Sequence, residues 1–224
     1  MKLLAFDAAS TACSAAVLVD DRIVAERFEI MARGQAEVLM PMIADVMAQA
    51  HLEVSALDAL AVTIGPGAFT GMRIGLAAAH GLALASSLAC VGLTTFEAVA
   101  YPAVAELRAG ESLVTVIESK RAELFLQAFD GALNPLSEPL AESIERISVL
   151  LPAGPLLLAG DGAARVQETL GARARLSSSL SPRAAAFAPL AARRIAAGTS
   201  LLPLRPFYMR PPDAKPMLEQ AVDG

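Results

Sequence analysis

Short apolar stretches separated by small polar turns open the chain. Residues 3–8, 13–19 and 23–28 are rich in Leu, Val, Ile and Ala, and polar turns lie between them. The first turn contains Ser10 and Thr11, whose hydroxyls can hydrogen-bond the nearby backbone. Runs of this length, bounded by turn residues, predict three strands joined as a β-meander.

Apolar positions then recur with helical spacing. Leu39, Ile43 and Met47 lie four residues apart, which predicts one face of a helix over 35–50, with a possible kink or start at Pro41. A β-branched run at 60–64 predicts a buried strand, and 72–88 predicts a second helix. Alternating strands and helices are typical of an α/β domain.

The second half of the chain repeats this order weakly. After a helix at 97–106 that ends the first half, strands are predicted at 113–118, 123–129 and 156–159, and helices at 138–151, 163–170 and 181–197. Both halves begin with an apolar strand that ends in an acid, Asp7 or Glu118. A polar stretch at 108–111 separates them, so we predict an N-terminal domain over 1–108 and a smaller C-terminal domain over 109–224.

An extended, basic tail is predicted at residues 204–215. It contains Arg205, Arg210 and Lys215 in an otherwise acidic protein. Such a tail can wrap its own domain, or it can contact a partner or an RNA phosphate. The first interpretation is favoured.

The loop at 65–75, with the sequence GPGAFTGMRIG, joins the strand at 60–64 to the second helix. Thr70 is a candidate N-cap of that helix. The loop could cradle an anion, but it lacks a Gly-Lys-Ser/Thr motif and its glycines do not match the dinucleotide fingerprint. A tight turn that lets the helix pack closely is the favoured interpretation.

Small residues form a stripe along the second helix. Gly71, Gly75, Ala79 and Ala83 recur every four residues and therefore share one helix face. A stripe without side-chain bulk permits close approach of another backbone, and we predict that a second helix packs against it. Whether that helix belongs to the same chain stays open.

Composition narrows the function classes. The chain of 224 residues has a net charge of −5 and a mean hydropathy of +0.52, which argues against binding nucleic acid through overall charge. Its two cysteines indicate no disulfide framework. No signal peptide is recognised, and the uncharged stretch at 74–96 divides into a helix and a strand, so we expect no membrane span and a cytoplasmic location.

The GPGAFTGMRIG sequence resembles the GPGSFTGLRIG signature of the TsaB (YeaZ) family. The segment QAEVLMP at 35–41, the strand pair around Glu118 and the tail are also similar to that family. The resemblance spans nearly the whole chain and implies two actin-like (ASKHA, ribonuclease-H-like) α/β domains. It also implies a non-catalytic partner subunit that supports the TsaD transferase in threonylcarbamoylation of adenosine 37 of tRNA.

The resemblance extends to partners and cofactors. It implies binding to TsaD, contact with a TsaE-type ATPase, tRNA reached through the complex, and a homodimer when TsaD is absent. No cofactor of its own is implied, although ATP or ADP could bind at the interface with TsaD. The predicted docking face lies on the two helices and comprises Leu39, Ile43, Met47, Gly71, Met72, Gly75 and Ala79. The rival interpretation is that Gly75 packs inside its own domain.

No catalytic set can be assembled from the sequence. TsaD resembles this family in fold and binds a metal through two histidines four residues apart on the equivalent helix, whereas this chain has only His51 and His80. No catalytic residue and no metal site are therefore predicted. Asp7, Ser10 and Thr11 are weak candidates for a nucleotide site, and a small-molecule kinase or ATPase is the alternative function, with a peptidase as a further rival.

Overall fold

Two five-stranded mixed sheets form the framework of the protein in the computed structural model, which describes residues 1–198 and 202–210. The first sheet contains β1 (Lys2–Asp7), β2 (Ala12–Val19), β3 (Arg22–Ile30), β4 (Ala59–Gly65) and β5 (Ala89–Thr94). The second contains β6 (Ser112–Glu118), β7 (Leu124–Phe129), β8 (Leu140–Glu142), β9 (Leu156–Ala159) and β10 (Ala174–Leu176). The α-helices that accompany them are α1 (Gln35–Gln49), α2 (Phe69–Ser86), α3 (Thr95–Ala103), α4 (Ile144–Leu150), α5 (Ala163–Leu170) and α6 (Ala184–Ala196).

The two sheets have the same topology. The strand order is β3-β2-β1-β4-β5 in the first and, read in the same sense, β8-β7-β6-β9-β10 in the second. In each sheet the first three strands are antiparallel, and the last two run parallel to the first. The internal repeat and the α/β class predicted from the sequence are therefore confirmed.

Both faces of the first sheet are covered, which explains why its central strands are continuously apolar. Leu4, Phe6 and Val62 pack under α1 and α2 on one face. Leu3 and Ala61 pack under α6 on the other face. Strands of this kind cannot alternate between apolar and polar residues, because neither face meets water.

The last helix of each half lies between the two sheets. Helix α3 follows the first sheet but contributes Phe96 and Val99 to a core shared with the second sheet. Helix α6 follows the second sheet but contributes Ala184 and Phe187 to the core of the first. A continuous cut at residue 108 would separate α6 from the face of the first sheet that it covers. The division into domains of 1–108 and 109–224 stays a prediction.

Several boundaries differ from the predicted ones. Helix α2 begins at Phe69 with Ala68 as its N-cap, and the predicted cap at Thr70 is wrong. The predicted helix at 138–151 is shorter, because its first residues form β8. Helix α6 begins at Ala184 rather than at 181, with Arg183 as its N-cap. The short strand β10 was not predicted.

Candidate functional site

The glycine-rich loop between β4 and α2 is filled by the backbone of the β1–β2 turn. A Cβ atom added to Gly67 would overlap the carbonyl oxygen of Ala9, and one added to Gly71 would overlap the carbonyl oxygen of Ala8. The amide of Ala68 donates a hydrogen bond of 2.7 Å to Ala9 O. The glycines thus admit a neighbouring turn of the same chain, which is the tight-packing interpretation.

The stripe of small residues faces the first sheet. Gly71, Gly75 and Ala79 are buried, and a Cβ atom at Gly75 would lie 3.5 Å from Cγ2 of Val62 in β4. The prediction that another helix packs on this stripe is wrong, because the stripe packs on a strand and a turn of its own half. The rival interpretation, that Gly75 packs inside its own domain, describes the structure.

Asp7 is fully buried at the end of β1, and no cation among the described residues acts on its carboxyl. Its oxygens accept hydrogen bonds from the amide of Ala9 (3.1 Å), from the hydroxyl of Ser10 (3.0 Å) and from the hydroxyl of Thr63. Burial raises the pKa of the Asp7 carboxyl to about 6, although these three bonds favour the charged form. The three hydrogen-bond donors to Asp7 thus all belong to the same chain.

Thr11 contacts the second half of the protein, whereas Ser10 contacts Asp7. Its hydroxyl is 3.5 Å from Oδ2 of Asp161, which belongs to the β9–α5 loop of the second half. Oδ1 of Asp161 accepts a hydrogen bond of 2.9 Å from the amide of Glu118. This contact therefore links the two strand-end turns across the sheets.

Glu118, the counterpart of Asp7, is held by a cation. Both of its carboxylate oxygens lie 2.9 Å from Nη1 of Arg165 on α5. Asp161 and Arg165 were not among the residues predicted from the sequence. The Gly160-Asp161-Gly162 turn could have pointed to them, because it occupies the position in the second half that the glycine-rich loop occupies in the first.

The predicted docking residues are buried. Leu39, Ile43, Met47 and Met72 all belong to the core, as do the glycines and alanine of the stripe. Only Ile43 and Met47 also line a surface groove, of about 320 Å³, between α1 and the segment that follows it. The seven residues position the two helices, and the docking face composed of them stays a prediction. The opposite side chains of the same helices face outward.

Those opposite side chains include exposed apolar groups. Met40 and Ala44 of α1 border the groove, together with Leu82 of α2. Leu84 of α2 is 87% exposed. Because α1 and α2 cover the same face of the first sheet, their outer sides form a continuous helical surface.

A C-terminal strap, residues 202–210, crosses both halves. Leu202 forms an antiparallel bridge with Gly92 in β5, and the amide of Phe207 donates to Ile64 O at 2.8 Å. His80 Nε2 lies 2.9 Å from the carbonyl oxygen of Leu204. The part of the predicted tail that is described therefore wraps its own protein, whereas Lys215 lies outside the described residues.

The strap ends in a stack of aromatic and cationic groups. The rings of Phe69 and Tyr208 stack with centroids 5.6 Å apart. The Arg73 guanidinium lies 3.8 Å from the centroid of Phe69, and its Nε donates to the Tyr208 hydroxyl at 3.0 Å. Arg210 pairs with Glu123 at 2.6 Å and thereby ties the strap to the second half.

A cleft of about 1030 Å³ opens between the halves beside this stack. The N-terminal ends of α1 and α2, the β6–β7 turn and the strap all line it. Its charged lining residues are Arg33, Arg73, Lys120, Arg121, Arg210 and a single acid, Glu37. Positive charge is thus concentrated in one place on an acidic protein.

Two further kinds of feature are absent from residues 1–198 and 202–210. No group of three or more His, Cys, Asp or Glu side chains is placed to hold a metal ion. No helix in this part of the chain is long and apolar enough to cross a membrane.

Comparison with known proteins places the chain in a family. The family model described as TsaD, tRNA N6-adenosine threonylcarbamoyltransferase, matches residues 27–199. The tRNA threonylcarbamoyladenosine biosynthesis protein TsaB of Escherichia coli K12 is 39% identical over 100 residues, 45% of this chain and 43% of that protein. The Haemophilus influenzae TsaB is 34% identical over 125 residues, 56% of this chain and 52% of that protein. The matched region spans about half the length of these two relatives.

Solved structures agree with this result. YeaZ from Pseudomonas aeruginosa superposes with a TM-score of 0.79 at 29% identity, over 93% of this chain and 99% of that one. The ADPNP-bound activator of 2-hydroxyisocaproyl-CoA dehydratase from Clostridium difficile, at 10% identity, 91% and 100% coverage and a TM-score of 0.52, shares the fold alone. Two actin-like α/β halves, a match to the TsaD model over most of the chain and these TsaB and YeaZ relatives show that the chain belongs to the TsaB (YeaZ) family.

Proposed function

We propose that this protein is a non-catalytic partner subunit in the N6-threonylcarbamoyladenosine modification of adenosine 37 of tRNA, and that it binds and supports a TsaD-type transferase. Membership of the family and the names of its relatives support the pathway. The closed site around Asp7 is the observation that carries the non-catalytic role. A cytoplasmic location follows from the same proposal.

Two features of the closed site support the absence of catalytic activity. Asp7 is fully buried and accepts hydrogen bonds from three donors of its own chain, which supports a structural role rather than activation of a water or of a phosphate-bound cation. The amide of Ala68 bonds Ala9 O, where a phosphate cradle would need a free donor. We therefore expect the purified chain to show neither threonylcarbamoyl transfer nor peptidase activity.

The partner surface in this proposal is the outer side of α1 and α2. The two helices lie side by side and expose apolar groups such as Met40 and Leu84. Exposed apolar surface on two adjacent helices is typical of a helix-packing interface. The same surface would serve a second copy of this chain when the transferase is absent.

Substitution of Leu84 tests the docking surface. Leu84→Asp places a charge where the partner would exclude water, and we expect the affinity for the TsaD-type transferase of the same organism to fall at least about tenfold. Because the side chain is 87% exposed, the variant should fold normally. Co-purification, calorimetric titration and an assay for modified tRNA are the measurements.

Val149→Asp is the matched control. Val149 is 84% exposed on α4 of the second half, so it carries the same change in charge on a helix outside the proposed surface. Its affinity for the transferase should equal that of the unaltered protein. If Leu84→Asp also binds with unaltered affinity, the docking surface lies elsewhere.

The proposal extends to nucleotide and to the remaining partners. We propose that ATP or ADP binds, if at all, at the interface with the transferase, and that a TsaE-type ATPase and tRNA join through the complex. The rival, a small-molecule kinase or ATPase, requires the chain to bind nucleotide alone. Calorimetric detection of ATP binding by the purified chain at micromolar affinity, about −8 kcal/mol, would favour that rival.

A further inference from the structure

We propose that the basic cleft between the two halves binds the backbone and an unpaired base of single-stranded RNA. This inference rests on the proposed function, because the RNA it would receive is part of the tRNA presented to the transferase. It assigns this chain a direct contact with RNA, whereas the proposed function requires only contact through the complex.

The distribution of charge is the first argument. Eighteen Lys and Arg and twenty-three Asp and Glu give the whole chain a net charge of −5. Five cations but one acid line the cleft, and one of the five, Arg210, is paired with Glu123 outside the lining. A chain with excess acid gains nothing for stability by grouping like charges, whereas a groove lined by one sign of charge attracts a polyanion.

The exposure and ion pairing of individual cations provide the second argument. Arg33 and Lys120 are exposed, and neither forms an ion pair within the described parts of the chain. They come from opposite halves, since Arg33 precedes α1 and Lys120 lies at the tip of the β6–β7 turn. Two cations from opposite halves can each pair with a phosphate of a strand that lies in the cleft.

The aromatic stack is the third argument, and it favours RNA over other anions. Phe69 and Tyr208 are 52% and 40% exposed, although large aromatic side chains favour burial. Together with the Arg73 guanidinium they form a ladder of planar groups at the edge of the cleft. An unpaired base can extend such a ladder, which is how many proteins bind single-stranded RNA without reading its sequence.

The size and openness of the cleft distinguish RNA from a mononucleotide. A volume of about 1030 Å³ lies at the upper end of the range for pockets that enclose small ligands. The cleft lies at the N-terminal ends of the two proposed docking helices. A strand can therefore continue from the cleft onto a partner bound at α1 and α2.

Charge reversal in the cleft tests the inference. Arg33→Glu and Lys120→Glu are measured by fluorescence anisotropy with a labelled RNA hairpin that carries a single-stranded loop, for the full chain alone and in complex with the transferase. We expect each variant to bind the hairpin about tenfold more weakly and to reduce the slope of log affinity against log salt by about 0.7. The fully paired duplex of the same stem should bind more weakly than the hairpin.

Arg22→Glu is the matched control. Arg22 is exposed at the start of β3, at the end of the first sheet that is remote from the cleft, so the net charge changes equally without altering the cleft. Its affinity for RNA should equal that of the unaltered protein.

Three outcomes would overturn the inference. They are equal loss of RNA affinity in all three variants, no measurable RNA binding in either sample, and displacement of the hairpin by inorganic phosphate or ATP at concentrations that occupy a small-anion site. In each case co-purification of the unaltered chain with the transferase would leave the proposed subunit role intact, whereas failure of the unaltered chain to co-purify would count against that role instead.

Discussion

The two halves of the protein share one topology but use it differently. In each, the first strand ends in an acid, Asp7 or Glu118, and a glycine-rich turn follows the fourth strand. Asp7 is enclosed by hydroxyl and amide donors, whereas Glu118 is half-buried and paired with Arg165. The same position in the same fold thus supports a buried uncompensated acid in one half and an ion pair in the other.

The helices of the two halves also differ in length. Helices α1 and α2 have 15 and 18 residues, whereas their counterparts α4 and α5 have 7 and 8. The longer pair covers its sheet and still presents an outer face, as the proposed docking surface requires. The comparison indicates that the first half has the more extensive helical cover, and that the glycines of its loop and of α2 serve that packing.

The largest expected effect comes from filling the space under α2. Gly71→Ala would place a Cβ atom against the carbonyl oxygen of Ala8, and a backbone atom cannot move aside as a side chain can. We expect a loss of about 3 kcal/mol or more in the free energy of unfolding, or failure to fold. Thermal and urea unfolding followed by circular dichroism measure it.

Gly81→Ala is the control in the same helix. No atom lies within 4 Å of the added Cβ, so the change should stabilise the protein by roughly 0.5–1 kcal/mol through helix propensity. If Gly71→Ala melts like the unaltered protein, the β1–β2 turn does not press on α2 as described.

The second effect concerns the buried acid. Folding raises the pKa of Asp7 from 3.8 to about 6, so the folded state binds the proton more tightly than the unfolded state. Protonation of Asp7 stabilises the folded state fully below about pH 4, and this stabilisation is lost as the pH rises through about 6. The Asp7→Asn variant has no carboxyl at this position and does not lose this stability. We therefore expect the difference in free energy of unfolding, variant minus unaltered protein, to rise by roughly 2–3 kcal/mol from pH 4 to pH 7.5.

Urea unfolding at several pH values measures the difference. Glu118→Gln is the counterpart in the second half, where the change removes a partly exposed ion pair with Arg165 and should cost about 1 kcal/mol or less. A pH-independent difference between Asp7→Asn and the unaltered protein would mean that Asp7 is not desolvated as described.

Much of the fold could be predicted because its signals are local. The apolar runs of β1, β4, β6 and β9 are bounded by turn residues, and α5 was predicted with the bounds that the structure has. The acids Asp7 and Glu118 at equivalent positions led to the internal repeat. Topology followed from that repeat together with the family resemblance.

The remainder depends on contacts between distant residues. The strands β8 and β10 have three residues each, too few to show a period of two. The amide of Ala184 bonds Ser14 Oγ at 3.0 Å, so the start of α6 is set by a residue in β2. Nothing in the local sequence of α6 indicates that it returns to the first sheet.

The candidate site shows the same limit. The stripe of small residues was recognised in the sequence, but a helix periodicity identifies a face without saying what covers it. The cleft was missed because its cations come from four separate segments of the chain. Lys120 and Arg121, in the turn that corresponds to Ser10 and Thr11, were the local signal that could have indicated it.

The smallest expected effect lies where α3 and α6 meet between the sheets. Helix α3 starts with a capping box, in which Thr94 Oγ1 accepts from the Glu97 amide at 3.1 Å, and the Glu97 carboxylate also pairs with Arg194 of α6. The next residue, Thr95, is fully buried, and its hydroxyl has no hydrogen-bond partner among the described residues.

Thr95→Val keeps the shape and the branching at Cβ but removes this unpaired hydroxyl. Because an unsatisfied buried polar group costs free energy, we expect the variant to be more stable by about 1 kcal/mol, measured as a higher melting temperature. Thr63→Val is the opposite case, since the Thr63 hydroxyl donates to Asp7 and its removal should destabilise the first half. A lower melting temperature for Thr95→Val would show that the hydroxyl has a hydrogen-bond partner after all.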